Sequence, residues 1–423
     1  MIDIKFLREN SEKVQKGARD KGVDVNISEI LNLDKECNDL SVSVQKLRED
    51  RNANASGIKG KPTNEQMKKG KEIKQKLEKQ ESELSEKKKE LQKRLLEIPN
   101  PAAKDVPVGK DESKNEAIRK YKTPTKFDFK PLDHLELGEK LDIIDVKSAA
   151  KVSGTRFAYL KNESVLLEFA LVQYALEVLT KEGFIPVVPP VLIKKEITED
   201  LGYWNGGGNE EFYYLNDPDE KKEMYLIGTA EHSVVPMHMD EILNKKDLPK
   251  RYIAFSSAFR REAGTYGKDT RGILRVHQFD KVEMISFATE ENGDKEHDCL
   301  LSLQEKLFQS LEIPYQVVKM CTGDLGFPAA RKYDLEAWMP GQEKYREVTS
   351  VSTTTDFQAR RLNIKYQDGN EKKYVHILNG TAFAIGRTII AILENYQQKD
   401  GSVIIPKVLQ KYTGFSKISP KSS

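Results

Sequence analysis

A chain of 423 residues is longer than one ordinary core fills, so two domains are expected. Charged residues make up 32% of it but the formal net charge is only +2, so any nucleic-acid contact must come from local basic patches. No run of about 18 apolar residues occurs, which excludes a membrane-spanning helix. The amino terminus, Met1-Ile2-Asp3-Ile4-Lys5, lacks the basic-then-apolar pattern of a secretory leader. Cys37, Cys299 and Cys321 lie far apart, and the six histidines form no HExxH-like cluster. A reducing, cytoplasmic setting without a zinc site or disulfide framework is therefore expected.

In chain order, Ile30, Leu33, Cys37, Leu40, Val44 and Leu47 alternate spacings of three and four, which is the seam of a heptad helix. A polar stretch containing Gly runs from Asn52 to Thr63, and a second stripe follows at Ile73, Leu77, Leu84, Leu91 and Ile98, flanked by Leu95. Glu72 with Lys76, Glu83 with Lys87 and Glu90 with Arg94 stand at i,i+4 in the favourable orientation. Two such stretches joined by a short turn predict an antiparallel helical hairpin, each arm of about 30 residues reaching about 45 Å. Pro99, Pro101 and Pro107 close it and open a linker. Most coiled coils only join chains or act as spacers. Here, however, basic residues outnumber acidic ones from Lys59 to Glu97, with Lys68, Lys69 and Lys71 near the tip, and polar Gln80 and Lys87 interrupt the seam at a cost in stability. Such a finger suits the sugar-phosphate backbone of RNA.

From about Val108 helix and strand alternate. Glu163 to Lys181 is an amphipathic helix, with Leu166, Phe169, Ala170, Tyr174 and Leu176 to Leu179 as apolar positions. Gly183 to Pro190 reads as a strand bounded by prolines, at an edge. Further on, a helix is expected at Lys295 to Leu311 and strands near Tyr315 to Lys319, Asp334 to Met339 and Tyr374 to Leu378. The last strand feeds a turn, Asn379 to Arg387, and the apolar helix Thr388 to Tyr396. The tail from Ser416 reads as disordered. No P-loop or GxGxxG fingerprint occurs.

The segment Phe259 to Glu283 carries the most chemistry. Tyr252, Ile253, Phe255 and Phe259 lead into it, and Ile273, Leu274, Val276, Phe279, Val282 and Met284 lead out, so two strands joined by a turn are expected. Alternation puts Arg260 with Glu262 on one face, and Arg275, Phe279, Lys281 and Glu283 on one face. The turn holds Gly264, Gly267 and Gly272 with Lys268 and Arg271. Charged residues on one strand face usually meet only water. Mixed charge around an aromatic instead favours a nucleotide, because Arg grips phosphate oxygens and an aromatic face stacks on a purine.

Phe259-Arg260-Arg261-Glu262-Ala263-Gly264, then Arg271-Gly272 and Arg275-Val276-His277-Gln278-Phe279, resembles the second signature motif of class II aminoacyl-tRNA synthetases, in the form of the seryl-tRNA synthetase family. The helix and strand ending at Pro190 resemble the first motif, and the segment closing with Gly386-Arg387 resembles the third. With the helical arm, the resemblance covers almost the whole chain. It implies an α+β fold: a class II catalytic domain (106–423) with an antiparallel sheet flanked by helices, preceded by an N-terminal tRNA-binding arm (1–105).

The activity implied is ATP-dependent conversion of L-serine to seryl-adenylate, then transfer to the 3′ end of tRNA-Ser, with tRNA-Sec as a further acceptor in the family. The chain would act as a homodimer through the first motif. No Ser-His-Asp or Cys-His arrangement is needed, because a carboxylate attacking the α-phosphorus is served by positioning and electrostatics. By resemblance Arg260, Glu262 and Arg387 are catalytic, and Arg260, Arg261 and Glu262 hold ATP. Phe279 stacks on adenine, Val276 offers backbone contacts, and Arg387 closes the other side of the ring. ATP contacts extend to Glu347, Val348, Thr349 and Ser350, with Glu347 and Ser350 as the Mg2+ ligands. Thr229, Ala230 and Glu231 match the serine loop, and Glu283 and Thr381 match the other serine contacts. The turn with Lys268 and Arg271 is placed to meet the tRNA acceptor end. Two other outcomes stay open: a related ligase that loads amino acids onto a carrier protein, and a catalytically inert coiled-coil interaction protein.

Overall fold

The computed structural model describes residues 1–57, 60–203, 210–216, 223–263 and 271–421. The chain divides into two compact units, Met1–Pro99 and Asn100–Ser423.

In the first unit, helices α1 (Ile27–Ser56) and α2 (Asn64–Leu96) run antiparallel. Asn26 accepts the Ser28 and Glu29 amides to start α1, and Thr63 forms a capping box with Gln66 to start α2. Along the predicted seam Ile30, Cys37 and Val44 of α1 and Ile73 and Leu77 of α2 are buried. Gln80 and Lys87 were expected only to cost stability, but both find partners on the facing helix. Ser43 Oγ donates to Gln80 at 2.8 Å, and Lys87 pairs with Glu36 at 2.6 Å. Polar pairs of this kind also set register. Lys87 thus reaches across the hairpin instead of to Glu83, whereas Arg94 does pair with Glu90 at 2.8 Å. Two short helices, Ile4–Glu9 and Ser11–Asp20, had no heptad signal. They cover the hairpin's base, where Leu7, Val14 and Ala18 are buried with Ile27, Leu95 and Ile98. Arg8 grips Asp34 there through bonds of 2.7 and 2.8 Å. Lys68, Lys69 and Lys71 are exposed, and Lys59 lies outside the described residues.

The second unit is built on eight strands: β1 (Glu116–Tyr121), β2 (Ile185–Val187), β3 (Lys250–Phe259), β4 (Gln278–Ala288), β5 (Tyr315–Lys319), β6 (Arg331–Met339), β7 (Lys344–Thr355) and β8 (His376–Ala384). In space they lie β1-β5-β6-β7-β8-β4-β3-β2, and every neighbouring pair is antiparallel except β2 with β3. Helices α3 (His134–Lys140), α4 (Glu163–Lys181), α5 (Gly293–Ser310) and α6 (Ile385–Tyr396) complete the layer. Leu167, Leu171, Leu307, Phe308, Ile389 and Leu393 from α4, α5 and α6 bury against Val282, Met284, Leu335, Val351 and Phe383 of the sheet. Alternation then turns Phe279, Lys281 and Glu283 of β4 to the opposite face, towards a cleft.

Four expectations are corrected. Strand β4 starts at Gln278 and not at Ile273, because the chain from Ile273 to His277 runs outside the ladder. Tyr374 ends a hairpin strand (Glu371–Tyr374) paired with Lys365–Asp368, and the sheet strand starts only at His376. That strand continues through Ala384, so the stretch expected as a turn from Asn379 is ladder that runs straight into α6. The tail is also ordered as far as Lys421: Lys417–Ile418 pairs with Val403–Ile404, and Lys421 pairs with Asp142 at 2.9 Å. Ile418 is buried there, which gives the strand an apolar anchor.

Candidate active site

A cleft of about 570 Å³ opens on the face of the sheet away from α4 and α5, and the first turn of α6 reaches it through Gly386 and Arg387. Thr229, Glu231, Arg260, Glu262, Val276, Phe279, Glu283, Glu347, Val348, Thr349, Ser350, Thr381 and Arg387 all line it. Ala230 does not: it is fully buried beneath, in a cluster with Val234 and Tyr252. Arg261 is exposed, and its backbone N–H donates to the Glu211 carbonyl at 3.0 Å. Lys268 lies outside the described residues.

Two irregularities in the ladders aim these side chains. Glu347 and Ser350 are three apart, which puts them on opposite faces of a regular strand. Leu335 pairs with Thr349 but Glu336 pairs with Glu347, so Val348 is an extra residue in β7. That bulge turns Glu347 and Ser350 to the same side. On β8, Val282 faces Phe383 while Glu283 faces Thr381, which leaves Ala382 as the extra residue and sets Thr381 beside Glu283.

One end of the cleft is a buried polar pocket. Thr381 Oγ1 donates to Glu283 Oε2 at 3.1 Å, and Lys281 Nζ stands 2.6 Å from the same oxygen. Glu231 is 2% exposed. It accepts from Tyr203 OH and Gln358 Nε2, each at 2.8 Å, and from Asn379 Nδ2. Burial raises the Glu231 carboxyl, against the donors Gln358 and Tyr203, which favour its charged form. Burial lowers Lys281, against the pull of Glu283. Beside them His232 is held neutral, first by burial and then by the charges of Arg260 and Lys281.

The other end is cationic. Arg387 Nη1 donates to Glu347 Oε2 at 2.8 Å and to the Glu347 carbonyl at 3.1 Å. Partial burial alone would raise the Glu347 carboxyl. The charges of Arg387 and Lys332 outweigh it and hold the group well below the usual carboxylate range. Between the ends, Arg260 donates to the Gly228 carbonyl at 3.1 Å, with its guanidinium 5.4 Å from the centre of the Phe279 ring. Its charge acts on Glu347 at one end and on Lys281 at the other.

Arg260 and Glu262 do not share a strand face as alternation predicted, because β3 ends at Phe259 and Glu262 takes the left-handed φ of 50°. This turns the Glu262 carboxylate into the cleft, where Arg275 Nη1 holds it at 3.0 Å. Glu211 supports the bend by accepting the amides of Glu262 and Ala263, both at 3.0 Å. Of the pocket's members Tyr203, Gln358 and Asn379 escaped notice as site residues. Tyr203 and Gln358 come from irregular or short segments with no periodic signal, whereas Lys281 was visible as the residue between Phe279 and Glu283.

Two family models match the chain: the seryl-tRNA synthetase N-terminal domain over residues 1–102, and the tRNA synthetase class II core domain (G, H, P, S and T) over residues 213–396. The serine–tRNA ligase of Dictyoglomus thermophilum is 46% identical over 428 residues, covering all of both chains. That of Treponema denticola is 44% identical over 425 residues, 99% of this chain and all of the relative. Among solved structures, seryl-tRNA synthetase from Pyrococcus horikoshii complexed with ATP matches with a TM-score of 0.93 and 44% identity, covering all of both chains. The cytoplasmic serine–tRNA ligase from Naegleria fowleri in complex with AMP matches at 0.90 and 32%, covering 100% of this chain and 99% of that one. End-to-end identity of this order, on a helical arm followed by an antiparallel sheet that carries a mixed-charge cleft, makes the chain a member of the seryl-tRNA synthetase family.

Proposed function

We propose that the chain activates L-serine with ATP to seryl-adenylate and pyrophosphate, and then passes the seryl group to the 3′ end of tRNA-Ser. The observation that carries this reading is one cleft joining a buried carboxylate–hydroxyl pocket to a cation-lined end, in a chain that matches serine–tRNA ligases over its full length. Serine's ammonium group is assigned to Glu231 and its hydroxyl to Glu283 and Thr381. A pocket built to hydrogen-bond a hydroxyl rejects alanine, whose binding would leave these polar groups unpaired. Arg260, whose charge acts on both ends, bridges the serine carboxylate and the α-phosphate. A carboxylate oxygen then forms the new bond to phosphorus as the bond to pyrophosphate breaks. Adenine stacks on Phe279 with Glu262 at its amino group and the Val276 backbone beside it, and Arg387 closes the other side.

The oxygen groups of Glu347 and Ser350, brought to one side by the Val348 bulge, fit Mg2+ completed by phosphate oxygens and waters. When bound, the ion supplies charge neutralisation on the phosphates. A second copy of the chain is assigned to the face of α4 and β2, where Leu166, Phe169 and Ile185 are each about half exposed and Val188, just beyond β2, is 82% exposed. The arm, with Lys68, Lys69 and Lys71 exposed, is assigned to tRNA, including tRNA-Sec where it is present, and the reaction to the cytoplasm.

Serine-dependent ATP–pyrophosphate exchange followed by charging of tRNA-Ser tests the reading. No exchange with serine would sink it, and exchange without transfer would point to a carrier-protein ligase.

A further inference from the structure

Behind the cleft lies a buried cluster that makes none of the substrate contacts assigned above. His134 opens α3 and is 5% exposed, and Glu394 on α6 is fully buried. Glu394 Oε1 accepts the His134 backbone N–H at 3.1 Å and lies 3.3 Å from His134 Nδ1, while Oε2 accepts the Gly341 N–H at 2.8 Å. On the far side of the ring, His134 Nε2 is 3.3 Å from the backbone nitrogen of Ile273. A backbone N–H can only donate, so Nε2 is the bare nitrogen. The ring proton therefore sits on Nδ1, facing the carboxylate.

Gly272 has φ 71°, and a Cβ there would fall on His134 Nε2, so the backbone closes on the ring only because this residue is Gly. The next residues, Ile273 and Leu274, wall the cleft. Leu274 gives its carbonyl to Arg387 Nε at 3.4 Å, and Arg387 in turn holds Glu347. One imidazole thus connects α6 to the backbone that positions Arg387.

We infer that His134, oriented by Glu394, is a positioning residue for the nucleotide: its Nε2 pins Ile273–Leu274 so that this wall and Arg387 keep the geometry that ATP requires. The inference rests on the cleft being the ATP site. A histidine that only filled space would be replaceable by any group of its volume. His134 instead uses both ring nitrogens in a fixed tautomer.

His134→Asn keeps an amide near Glu394 but cannot reach Ile273, whereas His134→Gln places an amide oxygen near the position of Nε2. In serine-dependent exchange the Asn variant is expected to raise KM for ATP about tenfold, equivalent to about 1.4 kcal/mol. KM for serine should stay within about twofold of the parent's, and the Gln variant should recover most of the ATP effect. Glu394→Leu fills much of the same volume but offers the Nδ1–H no acceptor, so the ring loses its orientation and KM for ATP is expected to rise as well. An unchanged ATP KM in either the Asn or the Glu394 variant overturns the inference. So does an equal rise in both KM values together with a fall in Tm, the signature of lost packing. Calorimetric affinity for a non-hydrolysable ATP analogue separates this from the assigned activity. Absence of serine-dependent exchange in the unaltered chain counts against the activity, and equal analogue affinity of the unaltered chain and the Asn variant counts against His134.

Discussion

Thr381→Val exchanges a hydroxyl for a methyl of nearly the same size at a position only 4% exposed. Thr381 Oγ1 donates to Glu283 Oε2 at 3.1 Å, and Lys281 Nζ keeps that oxygen company at 2.6 Å. The substitution therefore leaves the carboxylate paired and the volume filled, and the fold should survive with little loss of stability. Catalysis is another matter if the serine hydroxyl sits between Glu283 and Thr381. A hydrogen bond within a charged group's network is worth about 1.5–3 kcal/mol, which at 1.4 kcal/mol per decade is roughly a 10- to 150-fold fall in kcat/KM for serine. Alanine has no hydroxyl to lose, so its kcat/KM should change little and the preference for serine over alanine should shrink by the same factor. ATP–pyrophosphate exchange at fixed ATP, with each amino acid varied in turn, measures both numbers. An unchanged kcat/KM for serine, or a parallel fall for both amino acids, would refute the assignment of the hydroxyl pocket.

Ser43 and Gln80 face each other across the arm, so residues 44–79 can be replaced by a short Gly-rich turn without disturbing the base. That deletion should spare pyrophosphate exchange and lower tRNA charging by a factor of ten or more on the order of what several lost phosphate contacts bring; intact charging would reduce the arm to a spacer. Glu347→Gln should raise the Mg2+ concentration for half-maximal exchange about tenfold or more, since changes in the outer shell of a metal site already cost that much. An unaltered Mg2+ requirement would remove Glu347 from the ligand set. Burial, aided by a hydrogen bond to Asp280 and its charge, lifts the Glu168 carboxyl to about 8. A carboxyl raised in the folded state holds a proton that the unfolded chain, at about 4.3, has released. Its stabilising contribution is full below about pH 4 and is lost as pH climbs towards about 8. Glu168→Gln should therefore show a smaller fall in urea midpoint between about pH 5.5 and pH 7.5 than the parent. A fall as large as the parent's would contradict the shift.

Local patterns were legible wherever one interaction range sufficed. The amphipathic helix Glu163–Lys181 and the strand Tyr315–Lys319 lie where periodicity put them, because burial of one face decides both. The helical hairpin was legible for the same reason. Its base was not, since the helices Ile4–Glu9 and Ser11–Asp20 are too short to show a period. The strand starting at Gln278 was placed too early because Ile273, Leu274 and Val276 are apolar for a different reason: they wall a cleft and pack beneath it. The tail looked disordered from its composition, but buried Ile418, the pairing of Lys417–Ile418 with Val403–Ile404 and the Lys421–Asp142 ion pair order it.

By itself the sequence singled out residue types suited to phosphate, a purine and a hydroxyl, because Arg260, Glu262, Phe279, Glu283 and Arg387 sit in motifs whose spacing can be read along the chain. Tertiary structure alone decided how they converge. The extra residues Val348 and Ala382 turn Glu347, Ser350 and Thr381 into the cleft, and a bulge is a property of the pairing between two strands and not of either one. The left-handed bend at Glu262 depends on Glu211, 51 residues earlier. The carboxylate of Glu231 is held by Tyr203, Gln358 and Asn379 from three separate segments. Hydrogen bonds between such distant residues leave no period in the chain, so only the packed sheet could reveal them.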